Sequence, residues 1–125
     1  MIDFENGCVF KLKKVDDENL IKDLEPLMVA GENVLGCYRD IRDHVVFTDK
    51  RIIAVNIKGL TGKKRVITVI PYSKITLFSV TTAGRLDIDS ELDLCFSGVG
   101  NVRFEFRGSS DILEISRIIS ATAMN

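Results

Sequence analysis

The string Lys58-Gly59-Leu60-Thr61-Gly62-Lys63 invites a reading as chemistry. Glycines followed by lysine can cradle a phosphate, because bare backbone N–H groups approach the anion while the ammonium neutralises it. Such a loop needs the pattern G-x-x-x-x-G-K-[ST] between a strand and a helix. Here two residues separate the glycines, Lys64 stands where the hydroxyl should be, and both flanks read as strands. The phosphate-loop reading is therefore rejected. What remains is Lys63, Lys64 and Arg65, a basic triplet at a loop edge that offers a candidate contact for an anion.

His44, the single histidine, lies near Asp40, Asp43 and Asp49 in sequence and can be drawn as an oriented general base. No motif places a serine or cysteine nucleophile beside it, and a histidine read into a turn is ordinarily a surface polar residue. Neither H-E-x-x-H nor closely paired histidines exist to hold a metal. Asp87-Ile88-Asp89-Ser90-Glu91 superficially resembles a calcium loop, but it lacks the spacing and mid-loop glycine, which leaves a solvated turn. Cys8, Cys37 and Cys95 are odd in number and widely spaced, so they specify neither a metal pair nor a disulfide frame. Free thiols are expected, with Cys37 packed on a strand. Thr48-Asp49-Lys50-Arg51 reads as a turn in which Thr48 or Asp49 bonds its own backbone, with Arg51 opening the next strand and pairing with a nearby aspartate. No catalytic, cofactor-binding or metal-ligating residue is assigned.

These residues sit in a chain of 125, a length that suits one domain and buries enough surface to fold without a metal or disulfide. Its composition is that of an ordinary globular protein, 46% hydrophobic and 28% charged. A formal net charge of −1 argues against a protein that coats nucleic acid or an anionic membrane, since both require a strong positive field. Neither partner is expected. The N-terminal residues lack the charged-then-apolar-then-small order of a signal peptide, and no run approaches the roughly 18 apolar residues of a membrane span. Cytoplasmic is the expected location.

Asp16 and Asp17 can cap a first helix, and Leu20, Leu24, Leu27 and Met28 form its apolar stripe, limited by Pro26. Beyond Gly31 the period changes to that of strands. Leu92, Leu94 and Phe96 alternate with Glu91, Asp93 and Cys95; Val102, Phe104 and Phe106 alternate with Arg103, Glu105 and Arg107. The two runs form a hairpin over a short glycine-rich turn, with outward charges of opposite sign. Residues 51–58 and 65–70 form a second hairpin around Gly59 and Gly62, both free to take positive φ. Residues 34–41 and 45–47 pair around Arg42-Asp43-His44, and 75–82 needs a bulge to reconcile its parity. This yields about seven short antiparallel strands. Ile112, Ile115, Ile118 and Ile119 then mark a helix with Asp111 as its cap and Glu114 in the capping-box position. Its apolar stripe suits the open end of a curled sheet.

Taken in order, several strings are similar to those of one family. They are Gly31-Glu32, Arg39-Asp40, Phe47-Thr48-Asp49-Lys50-Arg51, Gly59-x-x-Gly62-Lys63-Lys64, Ile70-Pro71-Tyr72-Ser73-Lys74-Ile75, Ala83-Gly84 and Asp89-Ser90-Glu91-Leu92. Together they resemble the bacterial pleckstrin-homology-like (bacterial PH) domain family, formerly a domain of unknown function. The resemblance implies a mainly β fold with capping helices: a PH-like split, bent barrel of seven antiparallel strands, a C-terminal α-helix and a short N-terminal helix. It would occupy 1–125 as a single domain, with its core at about 30–123 and the first helix at about 16–28. The resemblance further implies ring-like homo-oligomers and no known enzymatic activity. Eukaryotic relatives often hold phosphoinositides through basic residues of the first hairpin. Here that hairpin reads Arg39-Asp40-Ile41-Arg42-Asp43-His44, with acids between the arginines, and the usual tryptophan of the capping helix is absent, so lipid binding is not carried over. The expectation is a non-catalytic homo-oligomeric scaffold or protein-binding module. The alternative is an anionic-ligand or lipid-headgroup module using Lys63, Lys64 and Arg65.

Overall fold

The computed structural model describes residues 2–5, 7–82, 84 and 89–123, in which eight strands form one sheet. Ala83, Asp87 and Ile88, which belong to two of the strings above, lie outside the described residues. The strands are β1 (Cys8–Val15), β2 (Val34–Asp40), β3 (Asp43–Thr48), β4 (Arg51–Lys58), β5 (Lys64–Pro71), β6 (Leu77–Thr82), β7 (Ser90–Phe96) and β8 (Gly100–Arg107). Their spatial order is β5-β4-β3-β2-β1-β8-β7-β6. Two helices, α1 (Glu18–Leu24) and α2 (Ile112–Ala123), complete the fold.

The mainly β, helix-capped architecture agrees with the sequence reading; the strand count does not. β1 is the additional strand. It buries Phe10 and Leu12 and exposes Lys11 and Lys13, the ordinary alternation of a sheet with one wet face. It runs antiparallel to β2 but parallel to β8, so it joins two antiparallel blocks that would otherwise be separate. Three local expectations also change. The first hairpin turns at residues 41–42, and Asp43 and His44 belong to β3. β6 pairs with β7 in unbroken register from Leu77 to Thr82, so no bulge is needed there. The parity change arises because Ile75 ends a 3-10 turn at Tyr72–Lys74 and precedes the strand. The register irregularity falls instead in β2, between Val34 and Gly36.

Inside the curl, Phe47 contacts three aromatic neighbours, Tyr38, Phe104 and Phe106, at ring-centroid distances of 5.5, 5.4 and 5.8 Å. Ile112, Ile115 and Ile119 of α2 close the same core, as their spacing predicts. Asp111 lies where the cap was expected, its carbonyl accepting the Ile115 N–H at 2.9 Å. Its carboxylate, however, is engaged elsewhere: Tyr38 Oη donates to it at 2.6 Å and Lys14 Nζ at 3.0 Å. The same hydroxyl accepts the Asp111 N–H at 2.8 Å. Gly36 is required beneath this contact, because a Cβ there would stand 2.2 Å from Asp111 Oδ2.

A second, smaller core lies on the outer face. Asp17 caps α1 by accepting the Leu20 N–H at 3.0 Å, and Leu20 and Leu24 pack on Cys37, Val46, Ile53 and Val55. Covered on both sides, β3 and β4 are buried almost throughout. The apolar stripe of α1 ends sooner than its spacing suggests. Pro26 lies in a 3-10 turn, Glu25–Leu27, whose tighter winding leaves Leu27 exposed while Met28 still packs on the second core. No helix of the described residues is long and apolar enough to cross a membrane.

Candidate functional site

β5 and β6 stand at opposite ends of the strand order, so the barrel remains split. An exposed edge is a template for pairing with another chain, and soluble proteins blunt edges with lysine, proline or bulges. β5 carries Lys64 and Arg65 at its start and Pro71 at its end, with Ile67 and Val69 each 39% exposed between them. β6 reads LFSVTT and has none of these devices; Leu77 is 56% exposed and Val80 37%. Between β5 and the β7–β8 turn lies a cleft of about 500 Å³. Phe4, Ile70, Ile75, Phe96 and Val99 make its wall mostly apolar, and Lys74 is the one charge among the lining residues.

The basic triplet does not converge on one point. Lys63 lies in the loop, whereas Lys64 and Arg65 are consecutive in β5 and project to opposite faces. Arg65 Nη1 donates to Asp23 Oδ2 of α1 at 3.1 Å. Gly59 and Gly62 take φ of 81° and 67°, as read from the sequence. Arg42 Nη2 donates to the Ile57 and Gly59 carbonyls at 3.1 and 3.2 Å, so a cation already occupies the oxygen side of this loop.

His44 is half-buried on β3 and not in a turn. None of the three aspartates near it in sequence orients the ring. Asp40 accepts the Lys11 N–H, Asp43 accepts the Ile57 N–H and Asn56 Nδ2, and Asp49 accepts the Asn33 N–H. The carboxylate that faces His44 belongs to Asp17, with Oδ2 3.5 Å from Nε2. Burial lowers the imidazole pKa, the Asp17 charge opposes that shift, and Arg39 reinforces it. His44, Asp17, Asp23 and Arg65 share a polar pocket of about 280 Å³ whose lining holds no serine, threonine or cysteine. Nearby Cys37 is buried, and its thiol pKa is pushed up to about 11, far from a reactive thiolate.

The densest polar cluster surrounds the β3–β4 turn. Thr48 Oγ1 accepts the Lys50 and Arg51 N–H groups, each at 3.0 Å, as the turn reading requires. Arg51 pairs with a glutamate and not an aspartate: its Nε and Nη2 each donate to Glu32 at 3.0 Å, and Nη2 also donates to the Leu27 carbonyl. Thr48 Oγ1 donates to Glu32 Oε2 at 2.6 Å. Burial would raise the Glu32 pKa, but Arg51 and Thr48 outweigh it and hold the carboxyl below its ordinary value. Asp49 is likewise held low, chiefly by the Asn33 N–H. Tyr72 Oη donates to the Thr48 carbonyl at 2.6 Å, tying in the segment that precedes β6. Glu32, Thr48 and Arg51 spend their hydrogen bonds on one another and on the backbone, which locks the turn.

This geometry accompanies a clear kinship. The family described as the bacterial PH domain matches residues 3–123. Uncharacterized protein YjqA of Bacillus subtilis is 41% identical over 123 residues, covering 97% of this chain and 98% of that protein. Uncharacterized protein YozO of the same organism is 33% identical over 99 residues, covering 79% and 85%. Among solved structures, a protein with a pleckstrin-homology domain from Shewanella loihica superposes with a TM-score of 0.70 at 36% identity, covering 91% of this chain and 98% of that one. A pleckstrin homology domain from Shewanella amazonensis gives 0.58 at 37% identity, covering 89% and 90%. The chain belongs to the bacterial PH domain family.

Proposed function

We propose that this protein is a non-catalytic cytoplasmic scaffold or protein-binding module whose copies join edge to edge, β6 of one against β5 of the next. The observation that carries the reading is β6: an uncharged, proline-free edge strand with Leu77 and Val80 exposed. Left bare, such an edge invites indiscriminate aggregation; covered by a copy, it becomes an interface. Because the two edges are different surfaces, their pairing is heterologous, and it closes into a ring when the rotation permits.

Light scattering on the purified protein at micromolar concentration tests this. The expected result is a closed oligomer of defined mass that Leu77→Lys or Ser79→Lys splits into folded monomers, since both side chains are exposed. A wild-type monomer would sink the assembly reading. A second reading rests on Lys63 and Lys64, which are exposed at the loop edge. It predicts salt-sensitive binding to anionic vesicles that disappears when Lys63, Lys64 and Arg65 are neutralised.

A further inference from the structure

The outer face of the sheet carries a transverse row of cations. Lys13 of β1 lies opposite Arg39 of β2 on one side and opposite Arg107 of β8 on the other. The alternation places all three on one face. Leu12, Tyr38 and Phe106 turn into the main core, and their successors Lys13, Arg39 and Arg107 are exposed. Neighbouring strands lie about 4.8 Å apart, so the three side chains rise abreast within about 10 Å. On β3 the row continues to His44, the partner of Arg39.

Elsewhere in this sheet four cations meet anions, while Lys11, Lys58 and Lys64 have no ion pair among the described residues. Arg103 holds Asp93 at 2.8 Å and Glu91 at 3.6 Å, Lys14 holds Asp111, Arg65 holds Asp23, and Arg51 holds Glu32. In the row, Arg39 donates Nε to the Ile41 carbonyl at 2.7 Å, which tethers the guanidinium without cancelling its charge. Lys13 and Arg107 have no ion pair or side-chain hydrogen bond among the described residues. The acids flanking Arg107 are Glu105, two residues along β8 and opposite Lys11, and Asp89, which precedes Ser90, the partner of Phe106, and accepts the Gly108 N–H at 2.6 Å; neither forms an ion pair with Arg107. Like charges directly opposite one another destabilise a sheet, and the chain has acids enough to have placed one here. The second core under α1 involves β2, β3 and β4 and reaches β1 at Val15, and no residue of β8 belongs to it.

We propose that Arg39, Lys13 and Arg107 form a binding site for a ligand carrying two or more linked phosphoryl groups, laid across β2, β1 and β8. A guanidinium fork pairs two phosphate oxygens at once, and the two arginines flank a lysine that acts as a point charge. A lone phosphate engages part of the row, whereas a linear polyphosphoryl group spans it. The site uses neither sheet edge and none of Lys63, Lys64 and Arg65, so it stands independently of the function proposed above.

Calorimetric titration of the full chain with sodium tripolyphosphate, and with orthophosphate for comparison, tests the site. Tripolyphosphate is expected to bind more tightly than orthophosphate, with affinity falling as salt rises. Combining Lys13→Gln with Arg107→Gln should weaken binding about tenfold or more. Lys63→Gln with Lys64→Gln should leave it unchanged. Both residues of the row are exposed, so circular dichroism should show the double variant folded. Vesicles bearing a polyphosphorylated inositol lipid distinguish the sources of the ligand. Capture that the same double variant abolishes assigns a lipid headgroup; tripolyphosphate binding without capture assigns a soluble ligand. Absence of binding to either probe at low salt would overturn the site, as would binding that survives loss of Lys13 and Arg107 or depends instead on Lys63 and Lys64.

Discussion

At the β3–β4 turn Glu32, Thr48, Asp49 and Arg51 all have partners, whereas across β2, β1 and β8 three cations stand abreast with no ion pair among the described residues. The ion pair of the first cluster is withdrawn from water: the Glu32 side chain is wholly buried and that of Arg51 only 17% exposed. The second is solvated. The difference separates two uses of charge. A buried ion pair must be complete, because an unmatched ion away from water costs several kcal/mol. An exposed row can remain incomplete, since water and counterions screen it until a ligand displaces them. Completeness therefore marks the turn as architecture, and incompleteness marks the row as a surface available to a ligand.

The largest effect should come from breaking the complete cluster. Arg51→Met leaves Glu32 buried and unpaired, and is expected to cost about 3–5 kcal/mol in urea unfolding. Glu32→Leu combined with Arg51→Met should recover part of that loss, because no isolated charge remains. If the single variant unfolded like the wild type, the turn would be no more than a surface ion pair, and the contrast with the row would disappear.

The contrast also explains what was legible in the sequence. Alternation revealed β4, β7 and β8, and the isoleucine spacing revealed α2, because those patterns are local. The Phe10-Lys11-Leu12-Lys13 alternation is equally local but short, and its parallel partner β8 lies near the other end of the chain, so pattern alone does not mark β1 as a strand. Partners of charges were harder. Sequence proximity pairs Arg51 with a neighbouring aspartate and offers His44 three, yet the structure supplies Glu32 and Asp17, each from a different element. The outward charges of the last hairpin were half right: Asp93 faces Arg103, but Glu91 faces Glu105. The family strings themselves acquire a physical meaning. Gly31-Glu32, Phe47-Thr48-Asp49-Lys50-Arg51 and the segment containing Tyr72 are dispersed in sequence but meet in one hydrogen-bonded network. The cation row has no sequence signature, because only strand register assembles it.

A change of pH should act on the two regions in separate windows. The folded-state pKa of His44 is lowered, so the unfolded chain takes up a proton that the fold resists. Stability is then unaffected above the ordinary histidine value of about 6.5 and declines as pH falls through that value toward the lowered one. Glu32, whose folded pKa is also lowered, contributes stability above the ordinary carboxylate range that is lost as pH falls through its folded value. Urea midpoints measured from pH about 8 to about 3 should show an upper step that His44→Gln removes and a lower step that it leaves in place. A single step near the carboxylate range in both proteins would show that His44 is not held neutral by its surroundings.

The smallest effect is the one that bears most directly on the row. If Arg39, Lys13 and Arg107 repel one another, Lys13→Glu converts two unfavourable cross-strand pairs into favourable ones. The fold should gain about 0.2–1 kcal/mol, read as a raised urea midpoint, while tripolyphosphate binding is lost. Stability and binding would then move in opposite directions at one exposed residue, as a site that retains repulsion for a ligand requires. At the Glu32–Arg51 pair the same kind of charge change can only destabilise, because each charge already has its partner. Lys13→Glu leaving stability unchanged would mean that screening removes the repulsion within the row completely, and ligand affinity would then owe nothing to its relief.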